Sequence, residues 1–353
     1  MAALAVLTLR PAHAAGREQV IAAGEQALAA GDADAALQLF ERAAGFGHQA
    51  DTELRTVRAL MQRGAYRQAL ALCAHVAGEH RDEAGPAALH AWLLDAGGQR
   101  EAARRVLAEA PHGSLLVQTQ RALTGEPRIA SPGMLDLPHR MAPVAVRSVD
   151  APPDTGCRVV CTAALIDGGD RALAPWSMVV GAGRLWVRNG LGMAQGAVLE
   201  NGLEGLGLAL LRLNAPLPLP PTPGLAPRDP FAGSPGAVVA YTASASAEPA
   251  WPALGAGFLG RSTAATALLR RLGIAVNGRV DGAPVLDAQG RLCGVVRHPA
   301  GEEATWVPLS ALRSRWAALL PPPAVPAPAP AMALDLAYEH ALFRSLQLIV
   351  SPA

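Results

Sequence analysis

Side chains able to do chemistry are sparse in this 353-residue chain, and their spacing argues against most kinds of site. The four cysteines, Cys73, Cys157, Cys161 and Cys293, show none of the close pairing of a zinc site. Cys157 and Cys161 would share one face of a strand, about 13 Å apart at the ordinary rise, which is beyond disulfide reach. Buried free thiols are the expectation. Histidine, the usual general base near neutral pH, is missing from the whole interval between His139 and His298. Asp281 and Asp287 flank a short apolar run, and acid–base work would need a partner carboxylate within reach. Both also sit at turns, Asp281-Gly282 and Asp287-Ala-Gln-Gly290, where Asp is favoured for conformation alone. No metal site and no cofactor is expected.

The elements around these residues divide the chain. The stretch Val280–Val295 reads turn, strand, turn, strand, with Gly290 supplying the left-handed position of the reversal. Similar short apolar runs recur upstream. Strands are expected at Arg158–Cys161, Met178–Val180, Arg184–Val187, Ala197–Leu199 and Leu208–Leu213, then at Ala237–Tyr241, Gly257–Leu259, Val285–Leu286 and Leu292–Val296. Helical periodicity is absent there, apart from a possible turn at Thr263–Arg271. Many short strands between Gly/Pro turns indicate an all-β sandwich or barrel.

The N-terminal third has a different rhythm. Gly31, Gly64 and Gly98 are 33 and 34 residues apart. Each is followed by Ala five residues on (Ala36, Ala69, Ala103), then by Phe40, Cys73 or Leu107, then by Ala43, Val76 or Ala110. This small–large–small pattern at this period is that of tetratricopeptide repeats, in which two helices pack as a pair and pairs stack into a solenoid. Such arrays expose a concave face to peptides or protein surfaces. The register puts Glu25, Arg58, Gln62, Trp92 and Asp95 near that face as groove candidates, although Trp92 could equally be core and the charges merely solvated.

Five landmarks in order give the β region a family likeness. Gly156-Cys-Arg-Val-Val160, Trp176-Ser-Met-Val-Val-Gly-Ala182, Gly207-Leu-Ala-Leu-Leu-Arg-Leu213, Pro235-Gly-Ala-Val-Val-Ala-Tyr241 and the Asp281 stretch resemble the successive motifs of trypsin-like serine proteases of the HtrA kind. The resemblance covers roughly Thr155 to Trp316 and implies a chymotrypsin-like double β-barrel. Carried over position by position, it implies a general base at Met178, an orienting carboxylate at Gly207 and a nucleophile at Asp281. None of these residues can play its part. The Gly-Asn that often precedes the nucleophile is Arg279-Val280 here, and an Asp281 carboxylate would repel an oxyanion. The expected barrel is therefore that of a pseudoenzyme.

The ends carry further signals. Residues 1–15 include an apolar run, Ala2–Leu9, and an Ala12-His13-Ala14 pattern. They fit a signal peptide with a clipped start, hence a periplasmic or secreted protein, or else a plain helical N-terminus of a cytoplasmic one. Residues 16–125 form the repeat domain, 126–154 a linker in which Pro143–Val146 could be a first strand, and 155–319 the barrel. Residues 320–331 are a Pro/Ala spacer of polyproline II type. Residues 332–353 read as an amphipathic segment. That segment either remains a tail with a helical patch or supplies a barrel strand, since Tyr338–Val350 resembles the helix-then-strand that enters such barrels at their N-terminus. A net charge of +1, with every basic residue an Arg, gives no electrostatic case for nucleic acid. No run reaches the ~20 apolar residues of a membrane span. The fold class expected is multidomain, an α-solenoid followed by an all-β double barrel. The function expected is a non-catalytic scaffold for a protein or peptide partner. The alternatives are an active trypsin-like endopeptidase with unrecognised catalytic residues, or a regulator of a true protease.

Overall fold

The computed structural model describes residues 3–125, 137–153, 155–166, 168–221, 224–261, 268–276, 278, 280–317, 320 and 330–352, with side chains from residue 16 onward. The first part is helical: α1 (Ala3–Ala29), α2 (Ala33–Ala44), α3 (Ala50–Arg63), α4 (Tyr66–Glu79), α5 (Ala84–Ala96), α6 (Arg100–Glu109) and α7 (Ser114–Thr124). The three register glycines lie in the turns inside the pairs, Gly31, Gly64 and Gly98, with φ of 84°, 86° and 84°. Only Gly adopts that left-handed conformation without strain, which is why the period is written in glycine. The small positions are close contacts. A Cβ at Gly24 in α1 would fall 2.4 Å from the Phe40 ring of α2, and Ala36, Ala69 and Ala103 are all buried.

The β region opens with β1 (Arg158–Leu165), β2 (Arg171–Pro175), the single turn α8 (Trp176–Val179), β3 (Leu185–Asn189), β4 (Ala194–Leu203) and β5 (Leu208–Leu213). It continues with β6 (Pro235–Ala240), β7 (Ala253–Phe258), β8 (Arg270–Arg271), β9 (Pro284–Asp287), β10 (Leu292–Arg297), β11 (Thr305–Pro308) and α9 (Leu309–Arg313). It closes with α10 (Leu334–Arg344) and β12 (Ser345–Val350). One group of strands forms a closed barrel, ordered β1-β12-β3-β4-β5-β2, and the other a six-stranded sheet, ordered β7-β6-β9-β10-β11-β8.

Several expectations need correction. Met178–Val180 is not a strand: Pro175 ends β2, and Met178 lies in the α8 turn, whose first amide, that of Trp176, is donated to the Gly207 carbonyl at 2.9 Å. Pro143–Val146 forms no strand either. Of the turn at Thr263–Arg271, residues 263–267 lie outside the described residues, while Arg270 and Arg271 pair with β11. At the C-terminus the second of the two expected courses is taken, and only the domain bound at 319 needs correction. β12 inserts between β1 and β3, with Leu348 paired to Cys161 on one side and Val187 on the other. All six of its residues are buried, so a barrel bounded at 319 lacks a strand, and the segment after 332 is no free tail. Its one amide side chain, Gln347, is satisfied by the Glu248 carbonyl at 3.0 Å and by Arg188 at 3.4 Å.

The two parts share a core. Trp92, Leu89 and Tyr66 of the repeats pack in one cluster with Met141, Trp251, Leu254, Tyr338 and Leu342. The Tyr66 and Tyr338 rings meet edge-on at 4.6 Å, and the Tyr338 hydroxyl donates to the Pro252 carbonyl at 2.7 Å. Arg67 pairs with Glu339 at 2.6 Å. The described part of the linker is fastened rather than free. The Val146 amide donates to Gly192 in the barrel, and the Arg147 amide to Ala29 in α1.

Candidate functional site

Two places merit consideration, the face of the repeats assigned to partners and the junction of barrel and sheet. On the repeats, the five groove candidates lie among packed helices, with Asp95 at the edge of a pocket that α6 and α7 also line. Arg58, Gln62, Trp92 and Asp95 are all buried. The Arg58 guanidinium pairs with Glu25 at 3.3 Å. Burial lowers its pKa to about 10, desolvation outweighing the nearby carboxylate. Gln62 donates to the Leu28 carbonyl at 2.8 Å and accepts the Val144 amide at 3.1 Å. Gln62 is thus covered by the linker segment, and Trp92 lies in the cluster that α10 and the β region share. The register could not reveal that these side chains are buried within the same chain.

At the junction, the segments that carry positions 178, 207 and 281 are tied through their neighbours. The Trp176 amide bonds the Gly207 carbonyl, two residues before Met178. Pro175 lies against Gly282, where a Cβ would fall 2.7 Å from the proline Cδ and 2.0 Å from the Thr162 carbonyl. Gly282 has φ +78°, so both conformation and space require glycine beside Asp281. Asp281 is buried, and its carboxylate accepts the His298 amide at 3.0 Å. Its carbonyl accepts the Thr162 amide from β1 at 3.3 Å, which ties the two halves together. Gly207 is left-handed at φ +68°, and a Cβ there would meet the Arg297 Nε at 3.0 Å. The junction therefore carries a thioether, a bare backbone position flanked by a guanidinium, and a carboxylate engaged by a main-chain amide. Ser177 is exposed beside them, and Arg279 lies outside the described residues.

The second carboxylate, Asp287, is spent on its own turn. It accepts the Gln289 and Arg291 amides and pairs with the Arg291 guanidinium at 2.8 Å. The cysteines offer no nucleophile either. All four are buried and form no disulfide, and burial raises the Cys73 and Cys293 thiols well above the ordinary range. One cluster the sequence did not single out, His48, Glu53 and His80, forms at the turns between repeats. Its signal was present in the period: His48 and His80 are 32 residues apart, nearly one repeat, so they fall in corresponding turns.

Residues 27–93 match the tetratricopeptide repeat family. No curated protein matches the chain. Among solved structures, the chain is similar to the protease domain of MamO from Magnetospirillum magneticum in its apo form. That similarity is at 18% identity and a TM-score of 0.37, over 46% of this chain and 91% of that one. The N-terminal region is thus built of tetratricopeptide repeats, a protein-interaction motif, and the β region is a closed barrel beside a six-stranded sheet. Among the described residues no helix is long and apolar enough to cross a membrane.

Proposed function

We propose that this chain is a non-catalytic scaffold in which a degenerate protease barrel is fused to a repeat array and presents a surface to a protein or peptide partner. The observation that carries the reading is the residue types at the three positions that the family resemblance assigns to a base, an orienter and a nucleophile, Met178, Gly207 and Asp281, none of which can play its part. The electrostatics there also oppose catalysis. A general base must become an imidazolium in the transition state, and the Arg297 guanidinium beside position 207 would disfavour that charge. The reading is supported further by an open groove of about 880 Å³ on the outer face of the barrel, lined by Val149, Trp176, Val180 and Leu199 among others. Val149, Val180 and Leu199 are exposed apolar side chains, as a partner surface requires. Because Arg58, Gln62, Trp92 and Asp95 of the repeats are buried, the partner is to be sought at such outer surfaces. Export to the envelope rests on the N-terminal sequence pattern alone.

The rival is an active endopeptidase using another hydroxyl, for which exposed Ser177 is the available candidate. Incubation with a fluorophosphonate probe, read by intact mass, together with a casein-cleavage assay separates the two. No adduct and no turnover above buffer are expected, and Ser177→Ala should change neither. Inhibitor-sensitive cleavage that is lost in Ser177→Ala would overturn the scaffold reading. The same purified protein, added to an active protease, tests whether it acts as that enzyme's regulator.

A further inference from the structure

We infer that the turns between the repeats form a binding site for one divalent transition-metal ion of zinc type, with ligands His48, Glu53 and His80. His48 lies in the turn between α2 and α3, Glu53 in the first turn of α3, and His80 at the end of α4. One donor atom from each lies within 4.8 Å of the other two. The Glu53 carboxylate stands between the rings, with Oε1 3.3 Å from His48 Nδ1 and Oε2 3.3 Å from His80 Nε2. Donors around a tetrahedral ion with bonds of about 2.0–2.1 Å are separated by about 3.4 Å, and each histidine nitrogen stands at about that spacing from one of the two Glu53 oxygens.

The second observation concerns His80. Its Nδ1 lies 3.1 Å from the Glu83 Oε1, a carboxylate that fixes ring orientation in the way metal-bound histidines are usually held. With Nδ1 as the donor, Nε2 presents a lone pair to the Glu53 Oε2. These two atoms are buried, 3.3 Å apart and without hydrogen-bond geometry. Two acceptors facing each other out of water need a cation between them, a proton or a metal ion, and the flanking His48 nitrogen provides the further donor that a metal ion uses. Glu53 and Glu83 together balance a doubly charged ion. Two imidazoles and a carboxylate favour zinc-type ions over calcium or magnesium, which prefer all-oxygen sites. His48, with its side chain 62% exposed, closes the site from an outer turn and leaves a fourth position toward solvent. The ion would clamp the turn entering the second repeat to the turn leaving it.

The test is calorimetric titration of chelator-treated full-length protein with ZnCl2, repeated with CoCl2 while following visible absorption. One equivalent is expected to bind with a tetrahedral cobalt spectrum. His80→Ala and His48→Ala should each weaken binding at least about 100-fold, and Glu83→Gln about 10- to 100-fold. His112→Ala, at the exposed turn before α7, should change nothing. His48 is exposed, so its variant remains folded and decides the matter if the His80 variant does not. Absence of a one-equivalent isotherm, or an isotherm unchanged in His48→Ala, would overturn the site.

Discussion

A chain ended at Ala331 should fail to yield a folded barrel. The deletion removes β12, which lies between β1 and β3, and α10, which joins the barrel to the repeats. Leu346, Leu348, Ile349 and Val350 are buried in β12, as are Tyr338 and Leu342 in α10. At about 1.5–3 kcal/mol for each large apolar side chain, the loss exceeds about 9 kcal/mol, which approaches or exceeds the whole stability of an ordinary domain. The deletion also exposes the unpaired edges of β1 and β3 and leaves the buried Arg188 without its Gln347 contact. The truncated protein is expected in the insoluble fraction or, if soluble, without near-ultraviolet dichroism or a cooperative transition. A truncated chain that melts within a few degrees of the full one would show that β12 is dispensable.

Trp92→Ala carries the next largest effect and separates two roles for that residue. As a groove residue waiting for a partner, Trp92 could be lost with little change in stability. Here it is 2% exposed and lies in the cluster shared by repeats and barrel. Its truncation should cost about 3–5 kcal/mol, since the surrounding helices and β7 cannot collapse fully into the space. In urea this corresponds to a fall in midpoint of about 1 M or more, with the slope preserved. An unchanged midpoint would return Trp92 to the surface and reopen the groove.

The legibility of the fold followed the locality of its causes. The three repeat glycines could be read because a left-handed turn is a demand made within a few residues, and all three adopt it. The β9–β10 hairpin was legible for the same reason, with Gly290 at φ 73° where a reversal needs it. β2 and β11 escaped because Arg-Ala-Leu-Ala-Pro and Thr-Trp-Val-Pro are short, end in proline and carry weak alternation. Met178 looked like part of a strand because Val179 and Val180 follow it, whereas the preceding Pro175 set the local conformation. What could not be read was pairing across the chain. The likeness of Tyr338–Val350 to an entering helix and strand offered a barrel strand as one of two courses, but no local feature named β1 and β3 as its neighbours, or showed that Val144 fills Gln62's remaining hydrogen bond. The candidate site divides in the same way. The residue types at 178, 207 and 281 were plain in the sequence, while the Arg297 side chain beside Gly207 and the His298 amide on Asp281 belong to the folded molecule.

Repeats and barrel form one body through their shared core, in which Trp92 is held and beside which Arg58 and Gln62 are buried. Thermal unfolding of the full-length protein, followed together by helical dichroism, near-ultraviolet dichroism and calorimetry, tests it most directly. The shared cluster and the fastened linker predict a single transition at which all three signals coincide. A helical transition clearly separated from that of the barrel would contradict it, and would make the face bearing Arg58, Gln62 and Trp92 available to a partner after all.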